Sequence, residues 1–104
     1  MIGMIVKTDQ QIDELTKDWV PDGFDVQKLL GAFINVLGYS PTTEEFCHDQ
    51  DDNLMYFTVD NLEQPRAITF SCSAGGTEAV LINSLAADLK AKIYDIEMNK
   101  FVQL

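Results

Sequence analysis

The middle of this chain carries negative charge that no positive charge offsets. Between Lys28 and Arg66, 37 consecutive residues contain neither Lys nor Arg. The same stretch holds seven carboxylates: Glu44, Glu45, Asp49, Asp51, Asp52, Asp60 and Glu63. Because like charges repel and weaken the compact state, few self-contained folds need so one-sided a segment. Attraction to a basic partner would explain this bias.

The whole chain is a polyanion of single-domain size. Its 104 residues carry a formal net charge of −10, whereas small soluble domains commonly have a magnitude of about 2–8. An apolar fraction of 46% is ordinary for a globular protein and argues against disorder. The charge disfavours direct nucleic-acid binding and anionic membrane surfaces, since both need positive charge on the protein. A basic protein surface, a cation or no partner remains.

Cysteine usage and hydropathy predict a cytoplasmic protein. Cys47 and Cys72 are too few and too far apart to form a disulfide framework. The apolar run at Met1–Val6 is shorter than the core of a signal peptide and lacks a basic start. No segment reaches the roughly 18–20 apolar residues that a membrane span needs.

Hydrophobic periodicity predicts a single α+β domain over residues 1–104. Strands are expected at Ile2–Lys7 (with Gly3 as a weak point), Leu54–Val59, Arg66–Cys72, Ile93–Glu97 and Lys100–Val102. Helices are expected after Thr8, after Asp25 as far as Gly38, and after Thr77, with a short helical turn from Ser40-Pro41 to about His48. The predicted order is β-α-α-β-β-α-β-β, with an antiparallel or mixed sheet of about four to five strands and three main helices.

Two patterns suggest metal sites but fail on spacing. Asp49, Asp51 and Asn53 fit the first, third and fifth positions of a calcium loop, and Asp60 fits the twelfth. Leu54 stands where that loop requires Gly, and a strand follows instead of a helix, so we expect a solvated acidic turn.

The second pattern is Cys47-His48. These adjacent residues seldom both reach one zinc ion, and no second pair completes the ligand set. We therefore interpret His48 as a surface or helix-end histidine and expect neither a metal nor a cofactor.

Cys72 is the only residue whose setting hints at catalysis. Glycines follow it and open a helix, which could lower a thiol pKa. However, Cys72 alternates with Ile68 and Phe70 on the expected core face, and a nucleophile needs a nearby base. We therefore predict a core cysteine and no enzyme activity.

The remaining hypothesis is a binding module that neutralises a basic protein, as an immunity protein or antitoxin neutralises a nuclease-type toxin. The chain is similar in size and charge to small acidic immunity proteins of bacterial competition systems, a resemblance that rests on no motif. Carboxylates can occupy a phosphate-binding site and be steered towards it. The predicted partner-binding residues are Glu44, Glu45, Asp49, Asp51, Asp52, Asp60 and Tyr56, the last as an aromatic anchor.

Two alternatives stay open. A DNA mimic that inhibits a nucleic-acid enzyme needs carboxylates spaced along one elongated face. A structural or accessory subunit could self-associate through the C-terminal hairpin, where Tyr94, Ile96, Met98 and Phe101 could supply a β-edge.

Overall fold

The structure, a computed structural model, describes residues 1–7, 22–50, 53–72 and 76–103. In this part of the chain the elements are β1 (Ile2–Val6), α1 (Val26–Leu37), β2 (Glu45–Gln50), β3 (Asn53–Val59), β4 (Ala67–Ser71), α2 (Gly76–Asp88), β5 (Lys92–Asp95) and β6 (Lys100–Val102). The strands form one antiparallel sheet in the order β2-β3-β4-β1-β5-β6. The α+β class is confirmed, but the expected strand number is wrong, because the sheet has six strands.

Both described helices were predicted from their apolar periodicity. In α1, Leu29, Ala32, Phe33 and Leu37 are buried, the Asp25 carboxylate accepts a hydrogen bond from the Lys28 N–H, and Gly38 ends the helix at φ 90°. In α2 the buried apolar residues are Ala79, Ile82, Leu85 and Ala86. The helix predicted after Thr8 lies outside the described residues. No helix in the described ranges has the length and hydropathy needed to cross a membrane.

The hydrophobic core lies between the helices and one face of the sheet. Alternate strand residues supply that face, and they are Ile5, Met55, Phe57, Val59, Ile68, Phe70 and Ile93. Each of them is at most 4% exposed. The other residues of β2 and β3, at the intervening positions, therefore point away from the core.

The short helical turn predicted as far as His48 is wrong, because Glu45–Gln50 forms the edge strand β2. Along this strand Phe46 is half-buried and His48 is buried, whereas Glu45, Cys47 and Asp49 are exposed. This alternation has the two-residue period of a strand with one face on a core. Strand β3 pairs with β2 in antiparallel orientation along Glu45–Gln50.

Aromatic contacts hold β2 against the core. The Phe46 ring stacks on Phe57 with centroids 5.2 Å apart and meets Phe33 of α1 edge-on at 5.3 Å. The His48 ring stacks on Tyr39, and its Nδ1 lies 3.0 Å from the Tyr39 hydroxyl in a hydrogen bond. The surface or helix-end interpretation of His48 is therefore wrong, since this side chain is only 5% exposed.

Candidate functional site

The outward face of the β2–β3 hairpin brings several predicted residues together. Its members are Glu45, Cys47 and Asp49 from β2 and Leu54, Tyr56 and Thr58 from β3, which we call the β2–β3 surface. The register places Glu45 opposite Thr58, Cys47 opposite Tyr56, and Asp49 opposite Leu54. All six residues are exposed. Two carboxylates thus flank a patch that contains a tyrosine, 57% exposed, and a leucine, 44% exposed.

A second group of carboxylates meets where β2 begins and β3 ends. Glu44, Glu45 and Asp60 line an open depression of about 520 Å³ together with Thr43, Thr58 and Val59. Five of the seven predicted partner-binding residues therefore belong to the hairpin or its ends: Glu44, Glu45, Asp49, Tyr56 and Asp60. The other two, Asp51 and Asp52, lie outside the described residues.

Two of these carboxylates also stabilise the fold. One oxygen of Asp60, Oδ1, accepts hydrogen bonds from the N–H groups of Arg66 at 2.9 Å and Ala67 at 3.2 Å. Glu44 Oε2 accepts from the Leu62 N–H at 3.3 Å. Both contacts hold the loop between β3 and β4.

The described first and fifth positions of the calcium-loop pattern fall on two paired strands. Asp49 lies in β2 and Asn53 begins β3, so the calcium-loop spacing falls on a hairpin. Among the described residues, no group of three or more His, Cys, Asp or Glu side chains could hold a metal ion.

The described lysines lie outside β2 and β3, and Arg66 lies beside Asp60 in the loop between β3 and β4. Strands β2 and β3 contain no Lys or Arg, whereas β5 and β6, at the other end of the sheet, contain Lys92 and Lys100. Three further lysines, Lys7, Lys28 and Lys90, line a cleft of about 380 Å³ beside α1. The negative charge of the hairpin is therefore not neutralised by cations on its own strands.

The two cysteines occupy opposite environments. Cys47 is exposed on the β2–β3 surface, and Cys72 is 7% exposed within the core cluster, as its alternation predicts. Burial and then the negative charge of Glu78 raise the pKa of Cys72, and the N-terminal ammonium partly offsets both. A raised pKa keeps a thiol protonated, which is the opposite of what an activated nucleophile needs.

Sequence reasoning missed Glu78, which ties the hairpin to α2. This residue is only 8% exposed, and its Oε1 accepts a hydrogen bond from the Leu54 N–H at 3.2 Å. A Glu in a first helical turn ordinarily indicates an exposed group that complements the helix dipole. The sequence therefore offers no local signal for this contact.

Comparisons with known protein families, with curated proteins and with solved structures find no match to this chain.

Proposed function

We propose that this protein is an acidic binding module that docks a basic protein on the β2–β3 surface. The role that fits best is that of an immunity protein or antitoxin that masks a nuclease-type toxin by direct contact. One observation carries the proposal: the hairpin register gathers Glu45, Asp49 and Tyr56 on one exposed face of a segment that lacks Lys and Arg.

The composition of this surface suits such a contact. Tyr is enriched among the residues that dominate binding energy, because it buries a large area and keeps a polar tip. Tyr56 and Leu54 would provide the centre of the interface, and Glu45 and Asp49 would accept hydrogen bonds from Lys or Arg of the partner. Charge complementarity of this kind raises association rates roughly 10- to 1,000-fold and weakens as salt is added.

The test measures association with a candidate basic toxin, the product of the reading frame beside this gene. Association rates are compared between about 0.1 M and about 1 M salt, over which the Debye length falls from about 10 Å to about 3 Å. We expect tight binding with an association rate that falls steeply with salt. Salt-independent association, or none, would overturn the proposal.

Charge-reversal variants locate the contact. Glu45→Lys and Asp49→Lys should each slow association by about tenfold or more at low salt. Asp88→Lys is the matched control, because it makes the same change of charge on an exposed helical residue. Equal losses in all three variants would show that net charge, and not the β2–β3 surface, governs binding. Thermal unfolding of each variant verifies that it folds.

A further inference from the structure

Among the described strands, β2 lies at the edge of the sheet, and three hydrogen bonds define the geometry of its outer side. In an antiparallel pair, opposed residues alternate between those that exchange hydrogen bonds and those whose backbone groups point outward. The Val59 N–H donates to the Glu44 carbonyl at 2.7 Å, so that pair is hydrogen-bonded. By alternation, the backbone groups of Glu45, Cys47 and Asp49 point away from β3.

Two side-chain contacts agree with this assignment. The Thr43 hydroxyl donates to the Glu45 carbonyl at 2.7 Å, which requires that carbonyl to face the free side of β2. The Leu54 N–H donates to Glu78, and not to β2, as expected opposite Asp49. Thr43 thus occupies one end of the free edge, and the backbone groups of Cys47 and Asp49 form the rest.

A row of outward-pointing backbone groups can pair with another strand. A second copy of this chain is a poor occupant. Antiparallel pairing of two β2 strands about Cys47 would set Glu45 of one copy opposite Asp49 of the other, and like charges directly opposite each other destabilise a sheet. Positive side chains at those two positions would instead form favourable cross-strand pairs.

We infer that an extended cationic segment of the partner adds to the β2 edge as a further strand. The segment carries two Lys or Arg residues with the same spacing as Glu45 and Asp49, and an apolar residue between them that covers Cys47 and Tyr56. Backbone hydrogen bonds give the affinity, and the alternate side chains give the selectivity. The inference rests on the proposed function and specifies how the partner is held.

The test uses a synthetic peptide with the core Lys-Thr-Val-Thr-Lys and a scrambled peptide of the same composition whose lysines are adjacent. Both are titrated into the intact protein and followed by amide chemical shifts. The patterned peptide should shift the amides of Cys47 and Asp49 and slow alkylation of the Cys47 thiol several-fold. The scrambled peptide should do neither. Equal effects of the two peptides, or no effect of the patterned one at millimolar concentration, would overturn the inference.

A backbone variant separates edge pairing from simple charge attraction. Cys47→Pro removes an N–H that points away from β3, and an edge strand tolerates Pro at such a position. Cys47→Ala is its matched control, because it changes the same side chain and keeps the N–H. We expect Cys47→Ala to bind the patterned peptide normally and Cys47→Pro to lose binding.

The variants also separate the two proposals. Peptide binding that survives in Cys47→Pro but is lost in Glu45→Lys would overturn edge addition and leave the acidic binding module intact. If Cys47→Pro fails to fold, the comparison of the two peptides on the unaltered protein decides the inference alone. Failure of the proposed function shows itself separately, as salt-independent or absent association with the full-length basic partner.

Discussion

At the scale of single residues, Gly3 has a structural purpose that the sequence does not indicate. In an isolated strand a Gly is a weak point, because it has no side chain to pack. Here Gly3 lies opposite Phe70, and a Cβ on it would come within 2.7 Å of the Phe70 ring and 2.9 Å of the Tyr94 carbonyl oxygen. The absence of a side chain at Gly3 therefore lets the Phe70 ring pack against the backbone of β1.

Gly3→Ala should lower the free energy of unfolding by about 1–3 kcal/mol, the typical cost of overpacking a core. Gly31→Ala is the control, and it should change the free energy of unfolding in the opposite direction. Gly31 lies within α1, and in the described part of the chain no contact lies within 4 Å of a Cβ added there, so the better helix propensity should stabilise the protein by about 0.5–1 kcal/mol. Chemical denaturation measures both effects. Equal stability of the two variants would contradict the close packing at Gly3.

Cys72 should make the stability depend on alkaline pH. Because its pKa is raised by folding, the stabilisation is complete below the ordinary thiol value of about 8.5 and is lost as pH rises towards the folded-state value. The free energy of unfolding should fall as the pH rises above about 8.5. Cys72→Ala should flatten this dependence and Cys47→Ala should not. Denaturation curves at a series of pH values measure it, and equal slopes in both variants would refute the assignment.

At the scale of secondary structure, local patterns predicted the described elements except β2. The apolar faces of α1 and α2 and the β-branched runs of β1, β3 and β4 are visible within each segment. In β2 the inward positions are Phe46 and a histidine, and a preceding Pro41 suits a helix start equally well. The strand is favoured by pairing with β3 and by stacking of Phe46 on Phe57, and both involve residues outside the segment itself.

The same limit applies to the candidate site. Sequence reasoning selected Glu45, Asp49 and Tyr56 by charge and residue type. Their meeting on one face depends on the register of β2 against β3, because a shift by one residue would send each side chain to the other face. The contact of Glu78 with the hairpin likewise needs the position of α2.

Asp60 belongs to the loop that connects β3 to β4, and its charge and its hydrogen bonds can be tested separately. Asp60→Ala removes the acceptor for two N–H groups and should cost about 1–2 kcal/mol of stability. Asp60→Asn keeps an oxygen at that position and should cost clearly less. Thermal denaturation measures the two variants. If both are equally destabilised, the carboxylate charge and not hydrogen bonding stabilises the loop.

At the scale of the whole molecule, charge is distributed unequally across the sheet. The β2 edge carries Glu45 and Asp49 without a cation, and the β5–β6 end carries Lys92 and Lys100 beside Asp95. A net charge of −10 does not by itself require carboxylates on any particular surface. On the edge strand, Glu45 and Asp49 would also oppose pairing between copies, a function that charged edge residues commonly serve.

If the charges of Glu45 and Asp49 oppose pairing between copies, removing them should cause self-association. The double variant Glu45→Gln, Asp49→Asn keeps the size of both side chains and removes the repulsion between two β2 strands. Its average mass in sedimentation equilibrium should exceed that of the unaltered protein at equal concentration. Cys47→Pro added to this variant should reverse the gain, because it removes an edge donor.

The control for net charge is Asp88→Asn with Glu97→Gln, two exposed carboxylates outside β2. This variant loses the same charge and leaves the edge unchanged, so its mass should match that of the unaltered protein. Equal association of both double variants would show that total charge keeps the copies apart. Association of the β2 variant alone would show that Glu45 and Asp49 determine which strands this edge accepts, because only pairing at β2 brings them opposite each other.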